Sequence, residues 1–470
     1  MPVPVITVAQ MREWEQATWV MGQTGAEVIR RVGAAIAQRA GALTSAGDTI
    51  LILAGKGHNG DDAQAATAFL SDRKFKLLEL LAPETDLPAL EAALRDEPAL
   101  IVDGLFGIGL NRPLAEPWQK IIAAINAAKI PVLAVDVPSG LNADTGETFG
   151  ACIEAAVTLT VGAPKTGMLA VAACPFVGRL EVAHDVGLIP CPLKSELNWT
   201  LPGDFKSFPP PRNVAAHKGS FGHVSIIAGS LGFHGAAVLA ARGAQRAQPG
   251  LVTVFTQDNV YYPVAAQLQS AMVNLWRTDV KKMSAGFDAL LVGPGLAGGD
   301  VPTELRHALR HWWRDFEHPL VLDASALDLL SAEPFLKKYV RVLTPHPGEA
   351  ARMLNWPVQK IQSQRVTALR ELSKKFGGCW VVLKGHQTLI GRAEGEIFAN
   401  PSGNPHLAQG GSGDLLAGFI AGLLAQPALQ AEVEKVLRHA VWQHGAAADE
   451  LQSARANWTV EELAEKIGGV

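Results

Sequence analysis

The sequence predicts two α/β domains, each built around a mainly parallel β-sheet. Short apolar runs such as Thr49-Ile50-Leu51-Ile52-Leu53-Ala54 alternate with helical patterns, as is typical of strands buried on both faces. The alternation stops between Ile189 and Arg212, where six prolines cluster, and it restarts at His223. A proline-rich break of this kind is typical of a linker. We therefore predict a first domain over residues 1–195, a linker over 196–212 and a second domain over 213–470.

Length, composition and charge are consistent with this organisation. A chain of 470 residues is long for one ordinary domain, and it suits two or three domains that each bury a sizeable core. The content of 48% hydrophobic and 18% charged residues is typical of a globular protein and argues against disorder. The formal net charge of −4, without a long run of Lys or Arg, argues against nucleic acid as a partner.

The cysteines and the apolar segments indicate the compartment. Cys152, Cys174, Cys191 and Cys379 are scattered and form no C-x-x-C pair, which favours reduced thiols over a zinc site or a disulfide framework. The N-terminus lacks the apolar core of a signal peptide, and the longest apolar run, around 415–425, is too short to span a bilayer. We therefore expect a soluble cytoplasmic protein without a membrane partner.

The predicted elements follow the chain in order. Apolar spacing predicts two helices between Ile6 and Ala46, and a later helix through Ala65 to Leu70. The predicted strands of the first domain are 49–54, 76–80, 100–103, 131–136, 157–161 and 180–183. Those of the second domain are 224–228, 251–255, 289–292, 320–323, 341–344 and 380–384. Helices lie between the strands, and several helices end the chain after Gly413, which is typical of wound parallel sheets.

A glycine-rich loop at 404–413 leads into an apolar helical segment, with Asp414 at the junction. Gly410, Gly411 and Gly413 leave backbone N–H groups uncovered, and the start of a helix adds unpaired donors and the positive end of its dipole. This loop is therefore a candidate anion site. Asp414 is either a helix-capping residue or a base that deprotonates a hydroxyl while the loop holds phosphate charge.

A second glycine pattern, Gly55-x-Gly57-x-x-Gly60, follows the first predicted strand. It matches the dinucleotide-binding fingerprint, and Glu79 lies near the spacing of the ribose-binding acid. Asp61 and Asp62 follow at once, however, and two carboxylates at a helix start would repel a pyrophosphate. The alternative is a tight strand–helix turn with acidic capping, which requires no ligand.

Two further loops follow predicted strands, one at 103–113 and the other at 136–146, and each begins with an aspartate. Each aspartate taken alone is explained as a turn former. Because the carboxyl ends of parallel strands meet at one edge of a sheet, the three loops together favour a binding site. Asn59, Asp103 and Ser139 would then offer oxygen ligands for a monovalent or hard cation.

These loops, with Gly162-Ala163-Pro164-Lys165, resemble those of the NAD(P)H-hydrate epimerases. The resemblance implies a Rossmann-like three-layer sandwich that interconverts the two C6 epimers of hydrated NADH or NADPH, beside K⁺ bound by Asn59, Asp103 and Ser139. It also implies Asp136 as the acid/base group, with Lys165 as a second candidate. The substrate contacts implied are Asp136 with His58, Asn59, Gly60, Asp61, Asp62, Gly107, Ile108, Gly109, Leu110, Asn111, Arg112 and Pro113.

The first loop departs from the family pattern Asn-Asn-Gly-Gly-Asp-Gly at His58, Asp61 and Ala63, and Arg30-Arg31 replace the usual Glu-Asn. An aspartate at position 61 would be strained if that position needed a positive φ. These departures keep open an alternative in which the N-terminal domain only binds or assembles.

Three motifs in the second half resemble the ribokinase-like superfamily and, within it, the ADP-dependent NAD(P)H-hydrate dehydratases, over about 212–449. They are Thr344-Pro-His-Pro-Gly-Glu349, Leu383-Lys-Gly-x-x-Thr388 and Asn404-Pro followed by Gly410-Gly-Ser-Gly-Asp414. No P-loop pattern occurs. The hydrate contacts implied are Ala236, Gly298, His346 and Asp414. The nucleotide contacts implied are Lys384, Gly385, His386, Gln387, Thr388, Gly410, Gly411, Ser412 and Gly413.

With both resemblances, the whole chain is similar to the bifunctional NAD(P)H-hydrate repair enzymes. Their chemistry implies that Asp414 deprotonates the C6 hydroxyl for attack on the β-phosphate of ADP with Mg²⁺ present, giving NADH, AMP and phosphate. The resemblance also implies a homo-oligomer. His406, Gln409, Ser325 and Asp328 depart from the family pattern. The alternative function is a ribokinase-like kinase that phosphorylates a small alcohol, such as a vitamin precursor, and carries a non-catalytic first domain.

Overall fold

The computed structural model of the chain describes residues 1–276, 280–296, 301, 303–332, 334–335 and 338–470. It divides into two compact units, which are Pro2–Trp199 and Thr200–Val470 together with Met1. Both units are α/β, and the predicted fold class is confirmed.

The N-terminal unit contains a six-stranded parallel sheet with strand order β3-β2-β4-β5-β6-β7. The strands of this unit are β1 (Val3–Pro4), β2 (Thr49–Ala54), β3 (Lys74–Glu79), β4 (Leu100–Gly104), β5 (Val132–Val135), β6 (Val157–Val161), β7 (Arg179–Ala183) and β8 (Leu197–Trp199). Its helices are α1 (Val8–Val20), α2 (Gly25–Leu43), α3 (His58–Ala65), α4 (Pro83–Arg95), α5 (Glu116–Ala127) and α6 (Cys174–Val177). Strands β1 and β8 pair antiparallel.

This sheet is covered on both faces, as the continuous apolar strands predict. Ile50 and Ile52 point into the core formed with α1 and α2, whereas Leu51 and Leu53 point into the core formed with α4 and α5. All four side chains are essentially fully buried. Each contributes about 1.5–3 kcal/mol of transfer free energy. The alternating burial produces three layers, with the sheet in the middle.

The C-terminal unit contains a sheet with strand order β17-β16-β15-β14-β13-β12-β9-β10-β11. Its strands are β9 (His223–Ile227), β10 (Leu251–Thr256), β11 (Met272–Leu275), β12 (Ala289–Val292), β13 (Leu320–Leu322), β14 (Arg341–Leu343), β15 (Trp380–Leu383), β16 (Leu389–Gly391) and β17 (Ile397–Ala399). Its helices are α7 (His234–Arg246), α8 (Tyr261–Ala265), α9 (Thr303–Asp315), α10 (Ser325–Leu329), α11 (Pro347–Leu354), α12 (Val358–Ser363), α13 (Arg365–Lys375), α14 (Ser412–Leu424), α15 (Val433–Ala454) and α16 (Val460–Lys466). Neighbouring strands from β15 to β11 are parallel, and β16 and β17 pair antiparallel.

Each parallel sheet has one point at which the direction of winding reverses. In the N-terminal sheet β3 lies on one side of β2, and β4 to β7 follow on the other side. In the C-terminal sheet β10 and β11 lie on one side of β9, and β12 to β15 follow on the other. Loops that leave the carboxyl ends of strands at such a reversal diverge and leave a crevice that commonly binds ligands.

Close packing of α7 against α14 fixes where the C-terminal glycine-rich loop enters its helix. A Cβ at Gly418 would lie 1.9 Å from the carbonyl oxygen of Ala240, and one at Gly243 would lie 2.1 Å from that of Leu415. Any side chain at these two positions would therefore separate the helices. The start of α14 is thereby held against α7, where Leu239 contacts Gly411.

Several elements differ from the sequence prediction. Strands β1, β8, β11, β16 and β17 were not predicted, because runs of two to four residues are too short to show periodicity. The helix expected through Ala65 to Leu70 begins at His58 instead, and 66–69 form a 3₁₀ turn. The segment 196–212, expected to be a linker, contains β8, and Phe205 and Phe208 within it are buried.

In the described part of the chain, no single helix is long and apolar enough to cross a membrane. The pair Ser412–Leu424 and Pro427–Ala454 reaches the length and composition of a span only when taken together, with a bend of 105° between them. All four cysteines are free thiols.

Arg341 stabilises the C-terminal unit from inside its core, where its side chain is 1% exposed. Its guanidinium donates to the carbonyl oxygens of Trp313 and Phe316, both at 2.6 Å, and to that of Trp312 at 3.0 Å, which satisfies the end of α9. We expect Arg341→Met to lower the free energy of unfolding by about 3 kcal/mol or more, because each orphaned buried carbonyl costs about 1–3 kcal/mol. Urea denaturation measures this change.

Arg314→Met is the matched control, because Arg314 is an exposed arginine at the end of the same helix. This substitution should change the free energy of unfolding by less than about 0.5 kcal/mol. Equal denaturation midpoints for the two variants would contradict the role of Arg341.

Candidate active sites

The Gly55–Gly60 turn is shaped by close packing. A Cβ at Gly55 would lie 2.1 Å from the carbonyl oxygen of Leu105, and one at Gly60 would lie 2.0 Å from that of Gly55. Gly57 has a φ of +115° and caps α3. The tight-turn interpretation therefore explains these glycines without a dinucleotide.

The structure accounts for two residues of this loop that depart from the family pattern, Asp61 and Ala63. Asp61 lies in the first turn of α3 with helical backbone, so the strain expected from a positive φ does not occur. Its carboxylate lies 3.4 Å from the exposed His58 ring. Ala63 is fully buried and packs against Gly104. A Cβ at Gly104 would lie 2.4 Å from the Ala63 Cβ. Both substitutions are therefore compatible with the fold.

Asp103 and Ser139 form a buried polar pair beside this turn. Asp103 is fully buried at the end of β4 and accepts hydrogen bonds from Ser139 Oγ at 2.6 Å and from the Ser139 amide at 2.9 Å. Burial raises the pKa of the Asp103 carboxyl, and the hydrogen bonds from Ser139 and Leu105 oppose that shift. The Phe106 amide donates to Ser139 Oγ at 2.8 Å, so the loops at 103–113 and 136–146 meet here.

Asn59 completes the predicted cation set. Its Nδ2 is buried and has no hydrogen-bond partner among the described residues, and its Oδ1 lies 3.1 Å from where a Cβ at Gly107 would be. Because the nitrogen and oxygen of an amide are assigned by their partners, a rotated Asn59 would present an acceptor oxygen at this place. A buried carboxylate and an orphaned amide fit a cation such as K⁺ that binds through oxygen ligands. No group of three or more His, Cys, Asp or Glu side chains in the described residues is placed to hold a metal ion.

Asp136 and Lys165 form the second buried pair of the N-terminal site. Lys165 is fully buried, and its Nζ donates to Asp136 Oδ1 at 2.5 Å and to Thr160 Oγ1 at 2.9 Å. The Val161 amide donates to the same carboxylate oxygen at 3.0 Å. Asp136 has a φ of +61°, an uncommon conformation that is frequent at functional sites.

The rest of the predicted substrate loop is less enclosed. Ile108 and Leu110 are half-buried and pack against the two cores of this unit. The remaining members of the predicted set in this loop are exposed: Gly109, Asn111, Arg112 and Pro113. The structure thus gathers Asn59, Asp103 and Ser139 closely and leaves 111–113 at the surface.

The start of α14 has the geometry of an anion site. Gly411 precedes the helix with a φ of +94°, and Asp414 lies in the first turn. In the described structure the amides of Gly413 and Asp414 make no backbone hydrogen bond outside the helix, and no side chain caps them. These donors and the helix dipole favour negative charge at this point.

Lys384 is the cation of this site. It follows β15, and its Nζ donates to Asp323 Oδ1 at 2.8 Å and lies 4.0 Å from Glu349 Oε2. A Cβ at Gly413 would lie 3.1 Å from the same Nζ, so a larger residue there would crowd the ammonium beside the helix start. Thr344 Oγ1 donates to Asp323 at 2.7 Å and fixes the carboxylate. The ends of β13, β14 and β15 therefore meet α14.

The protonation of Asp414 depends on its burial and on the charges of Asp323, Glu349 and Lys384. Burial raises the pKa of Asp414 to about 7, and the Asp323 and Glu349 carboxylates add to this shift while Lys384 opposes it. Burial alone would lower the pKa of Lys384, but Asp323 and Glu349 outweigh it and raise that pKa. Asp414 is therefore a carboxylate that takes up a proton near neutral pH, as a general base requires.

The Thr-Pro-His-Pro-Gly-Glu motif forms the start of α11. Pro347 occupies the first helical position, and Glu349 Oε2 accepts a hydrogen bond from the His346 amide at 2.7 Å. This capping box holds the Glu349 carboxylate near Lys384. The His346 ring accepts from the Gly348 amide at 3.0 Å and is 53% exposed, and its Nε2 lies 3.6 Å from Glu349 Oε1.

Two side chains of α15, Asp449 and His444, hold the loop from Asn404 to Ser412 in place. Asp449 accepts hydrogen bonds from the Gly403 amide at 2.9 Å and from Asn404 Nδ2 at 3.1 Å. His444 Nε2 lies 3.1 Å from the Ser412 carbonyl oxygen, and burial lowers the pKa of His444 to about 4. A neutral His444 therefore anchors the end of the loop that enters α14.

Comparisons with known proteins extend over both units. A family model described as NAD(P)H-hydrate dehydratase matches residues 224–468, and one described as the YjeF-related protein N-terminus matches residues 79–167. A bifunctional NAD(P)H-hydrate repair enzyme from Coxiella burnetii is 34% identical over 464 residues, which cover 94% of this chain and 93% of the relative. The chain belongs to the family of bifunctional NAD(P)H-hydrate repair enzymes.

Solved structures match the dehydratase part of this family member. A ribokinase-like superfamily protein from Enterococcus faecalis is 26% identical with a TM-score of 0.51, covering 59% of this chain and 95% of that protein. This match supports the ribokinase-like fold of the C-terminal unit. An ADP/ATP-dependent NAD(P)H-hydrate dehydratase from Bacillus subtilis, co-crystallised with ATP and Mg²⁺, is 32% identical with a TM-score of 0.48, covering 55% of this chain and 91% of that protein.

The residues that depart from the family pattern in the C-terminal unit have structural partners. Gln409 donates to the carbonyl oxygens of His406 at 2.8 Å and of Trp458 at 3.3 Å, which ties the outer part of the glycine-rich loop to the chain before α16. Asp328 pairs with Arg352 at 2.9 Å on the exposed side of α10. None of these contacts involves Asp414 or Lys384.

The other residues predicted for the C-terminal site are placed as follows. Ala236 lies in the first turn of α7, and its Cβ is 2.8 Å from where a Cβ at Gly295 would be. Gly298 lies outside the described residues. The segment from Gly385 to Thr388 turns between β15 and β16, and Arg365 donates to the His386 carbonyl oxygen at 2.5 Å to hold it.

Three charged residues of these sites had no role in the sequence prediction. Asp323 was recognised only as the end of a strand and Glu349 only as part of a motif, and their joint contact with Lys384 is the new observation. Glu15, on α1, carried no signal, because it lies in an ordinary amphipathic helix far along the chain from every motif.

Proposed function

We propose that this protein repairs hydrated NADH and NADPH in two steps. The N-terminal unit interconverts the R and S epimers at C6, and the C-terminal unit dehydrates the S epimer at the expense of ADP, giving AMP and phosphate. Family membership supports this assignment. The observation that carries it is the position of Asp414, which combines a raised pKa with an anion-binding helix start and an adjacent lysine.

In the C-terminal site, Asp414 takes the proton of the C6 hydroxyl as the oxygen attacks the β-phosphorus of ADP, and AMP leaves. The amides at the start of α14 and the Lys384 ammonium stabilise the negative charge that develops on the transferred phosphoryl group. The lone pair of the ring nitrogen then expels phosphate from C6, and loss of the C5 proton gives NADH. Mg²⁺ bound with the diphosphate would supply further neutralisation of charge, mainly through phosphate oxygens.

In the N-terminal site, Asn59, Asp103 and Ser139 would hold K⁺, which would offset the buried Asp103 charge and fix the three loops around the substrate. Asp136 is the acid/base group, and Lys165 holds it in place. Both substrates of the protein are therefore small molecules, the hydrate and ADP.

The alternative in which the C-terminal unit is a kinase for a small alcohol makes a different product. We would incubate the protein with the purified S epimer of hydrated NADH, Mg²⁺ and ADP, and follow the absorbance of NADH together with AMP and phosphate. ADP-dependent recovery of NADH with free phosphate is expected. A stable phosphorylated product, or no recovery with either ADP or ATP, would overturn the dehydratase assignment.

The cation site predicts a specific effect of K⁺ on the N-terminal unit. Exchange of K⁺ for Na⁺ should lower the epimerase rate and the melting temperature of this unit, because a ligand that binds only the folded state stabilises it. Asn59→Ala, which deletes the orphaned amide, should remove the K⁺-dependent increase in melting temperature. His58→Ala, at the neighbouring exposed position, is the control and should keep the increase. A K⁺ response that survives in Asn59→Ala would contradict the site.

A further inference from the structure

Two carboxylates beside the Asp136–Lys165 pair have no role in the proposed mechanism. Asp62 on α3 and Glu15 on α1 are both half-buried. Among the described residues neither side chain has a hydrogen bond or an ion pair, in contrast to Asp103 and Asp136. Half-buried acids without partners are costly to ionise, and they therefore call for a functional explanation.

The fold brings Glu15 to the site through the attachment of α1. The chain before α1 pairs with the Lys165 segment, where the Thr166 amide donates to the Ile6 carbonyl oxygen at 2.9 Å. A Cβ at Gly162 would lie 3.0 Å from the ring of Trp14, so α1 packs directly on the loop after β6. Glu15 is one turn beyond the buried Met11 and directly follows Trp14, so it lies on the half-buried side of α1.

Asp62 comes to the same region from α3, which shares a hydrophobic core with α1. It belongs to α3, whose first turn is pressed against the Gly55 turn and whose Ala63 contacts the end of β4 at Gly104. The charged groups that face Asp62 are Asp136, Asp61 and Glu15. Those that face Glu15 are Asp136, Lys165, His58 and Arg12. Asp136 and Glu15 therefore lie close enough to Asp62 to act on it electrostatically, and Asp136 and Lys165 act in the same way on Glu15.

Asp136 and Asp62 lie in environments that favour opposite protonation states. Asp136 accepts hydrogen bonds from the Lys165 ammonium and the Val161 amide, which is the environment of an ionised acceptor. Burial raises the pKa of Asp62 to about 8, and the Asp136, Asp61 and Glu15 carboxylates add to the shift. Pairs of acids whose environments differ in this way commonly divide the roles of base and acid.

We propose that Asp62 is the general acid of the N-terminal site, the proton-donating counterpart of Asp136, and that Glu15 is a positioning residue that keeps the proton on Asp62. This inference rests on the epimerase function proposed above. It assigns distinct chemical roles to Asp62 and Asp136.

The proposed epimerisation is an exchange of one water molecule for another at C6. Asp62 gives its proton to the C6 hydroxyl oxygen, the C6–O bond breaks, and the lone pair of the ring nitrogen forms a double bond to C6 as water leaves. Water then adds to the opposite face of C6, the electron pair returns to nitrogen, and Asp136 takes the proton released. That proton passes back to Asp62, so the hydrate gains and loses one water and only its configuration changes.

The test compares variants for conversion of pure R hydrate to the S form across a range of pH. Asp62→Asn is expected to lower the epimerase rate by about 100-fold or more, as is typical for loss of a general acid. In Glu15→Gln the alkaline limb of the rate profile should move to lower pH, because a neutral neighbour no longer holds the proton on Asp62. A purely structural role of Glu15 would lower the rate at every pH and leave the limb in place.

Glu13→Gln is the matched control, since Glu13 lies on the same helix and is exposed. It should leave both the rate and the pH limb unchanged. Near-wild-type epimerase activity in Asp62→Asn, or an unmoved alkaline limb in Glu15→Gln, would overturn the inference alone. A wild-type protein that leaves R hydrate unconverted beyond the spontaneous rate would overturn the epimerase function as well. A wild-type melting temperature of the N-terminal unit in each variant shows that this unit is folded.

Discussion

Asp414→Asn is expected to abolish ADP-dependent recovery of NADH from the S hydrate while leaving epimerisation unchanged. The substitution keeps the shape of the side chain and removes the proton acceptor, and loss of a general base typically costs about 10²–10⁴-fold in rate. The anion site itself remains, because Gly411, Gly413 and the start of α14 are not altered. Steady-state assays on the purified S epimer, with the epimerase rate measured in parallel, test both parts of the expectation.

The same substitution should stabilise the protein above neutral pH. The pKa of Asp414 is raised from 3.8 to about 7 by burial and by the Asp323 and Glu349 carboxylates, so the folded state holds a proton that the unfolded state releases. The stability of the wild type is therefore lost as the pH rises through about 7, whereas asparagine has no charge to bury. The difference in melting temperature should be largest in mildly alkaline buffer and should vanish below both pKa values.

Wild-type turnover should fall as the pH drops through about 7, because protonation removes the base. Asp328→Asn is the matched control, since Asp328 is an exposed acid of the same unit that pairs with Arg352. It should leave turnover nearly unchanged. Turnover of the S hydrate by Asp414→Asn at a rate close to that of the wild type would contradict the role of Asp414.

Asp136→Asn is expected to abolish epimerisation while the dehydratase keeps its full rate on the S hydrate. Asparagine tolerates the left-handed conformation of this position, where φ is +61°, so the backbone can remain in place. The variant loses the carboxylate that accepts protons at C6 and leaves the fully buried Lys165 without its anionic partner. A buried lysine in that situation tends to release its proton, so neither group retains its charge.

Chromatographic separation of the R and S epimers over time measures this effect directly. Asp185→Asn is the control, because Asp185 is a strongly exposed acid of the same unit. It should epimerise at the wild-type rate. Conversion of R hydrate by Asp136→Asn at a rate near that of the wild type would refute its role, provided that melting temperatures show both variants to be folded.

The sequence was sufficient to locate the candidate site residues that follow strands. Asp103 and Asp136 end continuous apolar runs, and parallel pairing of β4, β5 and β6 brings the ends of those runs to one edge. The glycine-rich loop before Asp414 could also be predicted as a candidate anion site, because uncovered backbone N–H groups at the start of a helix favour anions. Local chemistry and a regular topology made these predictions possible.

Other features depend on contacts that no local pattern shows. The start of α3 at His58 was missed, because Gly57 caps the helix without a side chain and gives no capping signal. The condition under which Asp61 would be strained, a positive φ, is not met, because that residue is already helical. The pKa of Asp414 depends on burial and on Asp323, Glu349 and Lys384, which come from three other segments of the chain. The position of Glu15 depends on how α1 packs on the loop after β6.

The central claim is that the two units perform successive and separable reactions. The most direct test is to give a mixture of R and S hydrates of NADH, with ADP, Mg²⁺ and K⁺, to the wild type and to Asp136→Asn, and to follow the recovery of NADH. The wild type should recover all of the hydrate. Asp136→Asn should consume the S fraction at the same initial rate and then slow to the spontaneous rate of epimerisation. Complete recovery by Asp136→Asn at the wild-type rate would contradict the account.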